Sequence, residues 1–171
     1  MIAESSRRAV DRALDSLRER FDEVPVVEET WRVDAETYGR TRERAEAGTV
    51  GGAGAWVRRG DGAALMVREV GSDGWSEPAG KQEPGEPLAE TAVRETREET
   101  GIDCRPVGVV RAAVAVHEHA DRPPITRLVV VFDARYEGGD VRPEPGEIAE
   151  ARWVDEQPNA VRYPAVREFP L

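Results

Sequence analysis

Lysine is almost missing from this chain of 171 residues: Lys81 stands alone beside 23 arginines. Cysteine is as scarce. Cys104 is the only one, which excludes an internal disulfide and an all-cysteine zinc site. Long apolar runs are absent. The longest, such as Leu128 to Phe132, are far too short to cross a bilayer. The opening MIAESSRRAV has no apolar h-region, so no secretory signal is visible and the cytoplasm is the simplest location. Positive charge is in deficit, with 24 Lys and Arg against 34 Asp and Glu, a net charge of −10. That balance argues against a duplex nucleic acid, which needs a basic surface to release counterions. It argues equally against an anionic membrane surface. Neither an internal repeat nor a helix-turn-helix pattern is present.

Acids, arginine, alanine and glycine fill the space that lysine leaves. We read this as the chain of a salt-adapted, GC-rich source, in which high salt screens self-repulsion. Ordinary GC-rich codon bias is the alternative. The length suits one domain with a proper core plus an extension.

Residues 1–48 differ from the rest. Val10, Leu14, Leu17 and Phe21 recur at steps of four, three and four, which predicts a helix with one apolar face. Ser5 or Ser6 would cap it, and Val24-Pro25-Val26-Val27 would break it. A charged helix is predicted from about Asp34 to Ala47, ended by Gly48. We expect this segment to be a helical N-terminal extension, packed on its own domain or on a second subunit in a homodimer. Residues 49–171 form the main domain. Gly51 to Arg58 and Ala63 to Val70 read as strands joined by the turn Arg59-Gly60-Asp61-Gly62. Trp75 to Pro78 reads as a short extended piece. Further strands are predicted over Val107 to Val116, Arg127 to Tyr136 and Ala151 to Val154. Strands, one helix, then strands predict an α/β (α+β) fold.

That one helix lies in GKQEPGEPLAETAVRETREETGI, Gly80 to Ile102. Pro87 suits its first position, and Gly101 its left-handed stop. Leu88, Ala89, Ala92 and Val93 form an apolar stripe. Glu95, Glu98 and Glu99 fall at i, i+3 and i+4, within an arc of about 100°. Like charges so placed repel by roughly 0.2–0.5 kcal/mol per pair. Three converging carboxylates make a hard-oxygen site suited to Mg²⁺. Arg94 lies one turn before Glu98 and can orient it. Gly80 to Gly85 read as a loop that lets a backbone carbonyl approach the same cation. A solvated acidic helix is the plain alternative for the E-x-x-E-E cluster alone.

The full spacing is longer than that cluster, and it resembles the Nudix box of the MutT-like Nudix hydrolases, G-x5-E-x7-R-E-U-x-E-E-x-G-U, where U is bulky and apolar. Gly80, Glu86, Arg94, Glu95, Glu98, Glu99 and Gly101 match its fixed positions, and Ile102 fits the last U. Thr96 departs from the first U. The lead-in Trp75-Ser-Glu-Pro-Ala-Gly80 is similar to the family's W-x-x-P-[GA]-G. The resemblance implies an α/β/α sandwich with a mixed sheet. It implies that Glu95, Glu98, Glu99 and the carbonyl of Ala79 bind Mg²⁺ or Mn²⁺. Glu86 and Arg94 would hold the box together. The reaction implied is hydrolysis of a nucleoside diphosphate linked to another group, with a carboxylate taking the proton of the attacking water. Glu98 could serve, or a glutamate of a later loop, Glu147 before Glu144.

Pro78-Ala-Gly-Lys-Gln-Glu-Pro-Gly-Glu86 is similar to the P-A-G-K-x-E-x-G-E of ADP-ribose and nucleotide-sugar pyrophosphatases. Glu77 and Gln82 stand where that family is usually apolar. A house-cleaning nucleoside triphosphate pyrophosphatase is the nearest alternative. A non-catalytic nucleotide-binding module is another, although such proteins usually lose box glutamates. Trp75 could stack on a base or simply pack. His117 and His119 share a strand face and lack a third ligand, so they read as solvated or pocket-lining. Cys104 reads as a small buried residue.

Overall fold

The computed structural model describes residues 1–171. Helix α1 (Ile2–Arg20) buries Val10, Leu14 and Leu17, and Phe21 is buried just beyond it. This is the face that the apolar spacing marks out. Neither serine caps it. Ser5 and Ser6 lie within the helix, and their hydroxyls donate back to Ile2 O at 3.2 Å and Ala3 O at 3.1 Å. Ser6 Oγ also accepts from the Thr126 N–H at 3.1 Å, which ties the helix to the sheet.

The chain then forms strand β1 (Val26–Arg32), which the sequence reading leaves out. It has no apolar–polar alternation because it lies at a sheet edge and is mostly exposed. Helix α2 (Ala35–Glu46) follows, capped by Asp34, whose carboxylate accepts from the Thr37 N–H at 2.7 Å.

The remaining elements are β2 (Gly51–Arg58), β3 (Ala64–Glu69), β4 (Trp75–Ser76), β5 (Ala79–Lys81), α3 (Leu88–Thr100), β6 (Asp103–Glu118), β7 (Ile125–Gly138), β8 (Ile148–Val154) and a 3-10 turn at Pro164–Glu168. The predicted loop after Gly80 therefore begins as a strand, because its backbone pairs with β2. Pro87 caps α3 from outside rather than occupying its first turn.

Eight strands form one mixed sheet in the order β1-β6-β7-β2-β3-β4, with β5 paired to β2 and β8 to β3. β1 runs parallel to β6 and β2 parallel to β7; β6 and β7 are antiparallel. Alternation along the strands divides the core. Ala53, Ala55, Ala112, Val114, Leu128, Val130 and Phe132 face α1 and α3. Trp56 and Val131 point the other way, packing with Trp75, Val166 and Phe169 under the C-terminal segment. His117 and His119 share that second face. There α2 covers them, with Thr41 Oγ1 at 3.2 Å from His117 Nδ1 and the Tyr38 ring 5.9 Å from that of His119. Helices thus lie on both faces of the sheet.

Candidate functional site

Helix α3 is anchored by Leu88, Ala89 and Ala92, which are buried in the main core. Buried Thr91, Thr96 and Thr100 complete its inner side. Thr96 keeps its hydroxyl bonded to Ala92 O at 2.7 Å, so a polar residue fits where a bulky apolar one was expected. Gly101 ends the helix at φ 74°, a left-handed conformation that suits glycine.

Strand β5 crosses the acidic side of this helix. Ala55 N–H bonds Pro78 O at 3.1 Å, and Gln82 N–H bonds Gly51 O at 3.2 Å. Antiparallel alternation then turns the polar groups of Ala79 away from β2. Its N–H donates to Glu99 Oε2 at 3.2 Å, which leaves its carbonyl off the ladder as well. At Gly80 the helix comes closer still. Any Cβ there would collide with the Glu95 carboxyl group.

Arg94 organises the acids. Its Nε and Nη2 donate to the two oxygens of Glu86 at 2.8 and 3.0 Å. Nη1 reaches Glu95 Oε1 at 2.8 Å and Glu98 Oε2 at 3.1 Å. Nη2 also bonds Lys81 O at 3.0 Å. Glu86 accepts further from Thr91 Oγ1 at 2.7 Å and the Glu83 N–H at 3.1 Å. The Arg94 guanidinium is the main reason that the Glu86 carboxyl is held down at about 2.

The loop after β7 brings in more negative charge. Arg142 N–H bonds Thr100 O at 2.8 Å, and Glu144 N–H bonds Glu99 O at 3.0 Å, so this loop is fixed to the end of α3. Glu99 is 3% exposed. Burial first, then the charges of Glu95, Glu147 and Glu144, push its carboxyl up to about 8, against the bond from Ala79. Burial also raises Glu95; Arg94 opposes this, while Glu98 and Glu147 add to it.

Glu95, Glu98, Glu99, Glu144 and Glu147 thus share one electrostatic site with one guanidinium. No three carboxylate, imidazole or thiol side chains already stand close enough to cage an ion. Arg94 holds Glu95 and Glu98, and a cation would compete with it for their oxygens. The donor chemistry nevertheless fits a hard divalent cation: oxygen only, partly desolvated, and with more negative charge than the protein neutralises.

The other candidates lie apart. Trp75 is 7% exposed, with the Arg152 guanidinium 4.3 Å and that of Arg68 5.9 Å from its ring centre. His117 is buried, which corrects its solvated reading, and burial lowers its imidazole to about 4. Burial raises the Cys104 thiol to about 11.

Sequence reasoning missed the partners that support the box. Gln82 Oε1 accepts from the Val50 N–H at 2.7 Å and its Nε2 donates to Glu86 O at 2.6 Å, while Arg44 Nη2 donates to Gln82 O at 2.7 Å. Glu77 is 5% exposed and accepts from the Tyr163 hydroxyl. The only signal in the sequence was that both positions are polar where an apolar residue is usual.

Known proteins share this chain's sequence pattern and its fold. The model of the NUDIX domain matches residues 48–166. An NAD-capped RNA hydrolase NudC of Stutzerimonas stutzeri is 36% identical over 98 residues, 57% of this chain and 33% of that protein. A putative mutator protein MutT4 of Mycobacterium tuberculosis is 36% identical over 94 residues, 52% of this chain and 36% of that one. The matched stretch is thus about a third of the length of these relatives. Among solved structures, a MutT NUDIX hydrolase from Burkholderia pseudomallei superimposes with a TM-score of 0.54 at 25% identity, over 68% of this chain and 92% of that one. The matched region contains strand β5 with Ala79 and Gly80, the Arg94 tether and the acidic end of α3, and by that match the chain belongs to the NUDIX domain family.

Proposed function

We propose that this protein hydrolyses the diphosphate linkage of a nucleoside diphosphate joined to another group, using Mg²⁺ or Mn²⁺. One observation supports this above the others. Glu95, Glu98, Glu99, Glu144 and Glu147 act on one another's charge near the off-ladder backbone of Ala79, and Arg94 bonds only Glu95 and Glu98 of the five. Glu95, Glu98, Glu99 and the Ala79 carbonyl would hold the metal. When bound, the metal would offset diphosphate charge and lower the pKa of a water, so that the water gives up a proton more readily as it attacks phosphorus. The chain's own residues do the rest. Arg94 positions Glu95 and Glu98, and Glu86 positions Arg94. The Glu98 side chain is 53% exposed, open to solvent, and would take the water's proton. Glu147, on the loop fixed to α3, is the second candidate base. The water oxygen bonds to one phosphorus, and the bridging oxygen leaves with the other.

For substrate we favour ADP-ribose or a related nucleotide sugar, on the Pro78-to-Glu86 similarity. The relatives named as NAD-capped RNA hydrolases support a neighbouring choice. NAD and ADP-ribose both join adenosine diphosphate to a second ribose, so one site chemistry serves both. The MutT4 name keeps a nucleoside triphosphate pyrophosphatase as the second reading.

The test is a panel of ADP-ribose, nucleotide sugars, NADH, dinucleoside polyphosphates and nucleoside triphosphates with Mg²⁺ or Mn²⁺, with products identified. Glu98→Gln should lower turnover of the best substrate by about a hundredfold or more while the melting temperature stays unchanged. Full activity in that variant would overturn the mechanism. Cleavage of no panel member would favour a nucleotide-binding module.

A further inference from the structure

The two edges of the sheet are unlike. At one end the path divides, with β4 of two residues and β8 of seven both paired to β3, and the β3–β8 ladder is interrupted by a register shift at Arg68/Glu69. At the other end β1 has seven and nothing covers it. Val26, Val27 and Trp31 on this strand are exposed by 37, 37 and 39%. Its ladder with β6 runs from Val26 to Arg32 without a bulge. Natural edges are commonly blunted by shortness, bulges or proline, and β1 shows none of these within its length.

The free backbone groups can be assigned. Ala112 N–H bonds Pro25 O at 2.8 Å, and Val33 N–H bonds Glu118 O at 3.0 Å. In a parallel ladder alternate residues make both bonds to the same neighbour. Residues 25, 27, 29, 31 and 33 therefore face β6. Val26, Glu28, Thr30 and Arg32 direct their N–H and C=O groups outward, where no protein group meets them.

We propose that this edge pairs with the β1 of a second copy of the chain, antiparallel, about a two-fold axis at Thr30. Side-chain charge favours this register, because among axes within β1 only the one at Thr30 pairs residues of opposite charge. Placing the axis at Thr30 sets Glu28 opposite the partner's Arg32 twice, sets Thr30 against itself, and brings Glu29 beside Trp31. An axis at Glu28, Glu29 or Arg32 would set a like charge against itself, which is unfavourable. Glu28 and Arg32 point to the α1 side of the sheet, where Arg7 Nη2 lies 3.5 Å from Glu28 Oε1. In the Thr30 register each opposed outward pair exchanges two backbone bonds. The charges that would repel a foreign strand thus match those of an identical one.

The full-length chain tests this by light scattering and sedimentation over a range of concentrations, independently of catalysis. The expected mass is twice the 18.9 kDa of one chain. Thr30→Pro removes one outward N–H without touching the β6 ladder, and should give monomer. Arg32→Glu opposes four carboxylates in two pairs and should weaken the dimer by about tenfold or more. Glu28→Arg combined with Arg32→Glu restores opposite charges and should restore the dimer. A wild-type chain that is monomeric at every concentration overturns the proposal. So does a dimer that Thr30→Pro, with an unchanged circular dichroism spectrum, and Arg32→Glu both leave intact. If Thr30→Pro does not fold, the charge-swap pair alone decides.

Discussion

At the scale of single residues, two positions set the site without being metal ligands. Gly80 leaves room for the Glu95 carboxyl group against the strand. Gly80→Ala should displace Glu95 and reduce activity by at least about tenfold. A titration of Mg²⁺ by calorimetry should show weaker binding, while unchanged affinity would show that Glu95 can move aside freely. Glu86 acts through Arg94. Its carboxyl is held at about 2, below the ordinary 4.5. A depressed carboxyl stabilises the fold above the unfolded value and loses that contribution as pH falls from about 4.5 through 2. Glu86→Gln should therefore lower the melting temperature at neutral pH and flatten its fall on acidification. An unchanged acid limb would remove Glu86 from the stabilising network. Both residues were legible in the sequence because the box spacing names them. Gln82 and Tyr163 were not, since their partners lie far along the chain.

Elements explain why the acids tolerate one another. α3 is held by its apolar and threonine faces, so Glu99 stays buried although burial opposes its charge. Its carboxyl lies at about 8 when no cation is present, above the unfolded 4.5. Such a group stabilises the fold fully below the unfolded value, and the contribution is lost as pH rises through the folded value. Glu77, raised to about 7, acts in the same direction. In chelator, the melting temperature should fall as pH rises from about 5 to about 9. Glu99→Gln should remove much of that fall. Added Mg²⁺ should raise melting most at the alkaline end, because it favours the ionised carboxylates. A pH-independent melting temperature in chelator would contradict this account. The helix ends were readable from Gly101 and Asp34, which carry their own local chemistry. β1 was not, because an edge strand that buries little has no apolar period to show.

For the whole molecule, the first helix is part of the main core. Val10, Leu14, Leu17 and Phe21 share a cluster with β2, α3, β6 and β7, and β1 adds a strand to the common sheet. Net charge acts at the same scale. Most ion pairs on the helices, such as Arg7–Asp11 and Arg40–Glu36, are exposed and contribute little each. The excess of ten negative charges opposes compaction unless salt screens it. If the acidity is a salt adaptation, the melting temperature should rise from low to molar KCl. Unchanged melting would assign the acidity to codon bias. No helix is long and apolar enough to cross a membrane.

The acidic helix, its glycine stop, the strands around it and the family are all written in the order of the residues. These rest on local chemistry: the period of a helix, the left-handed tolerance of glycine, and a fixed spacing of charged residues. The surroundings of the carboxylates come from the folding of the chain in three dimensions. It bonded the Ala79 N–H to Glu99, fixed the Glu144–Glu147 loop to the end of α3, and covered Trp75 with two guanidiniums. It also placed β1 at an open edge. Such facts depend on which distant segments meet, and a carboxyl's ionisation follows from the burial and charge that those meetings create.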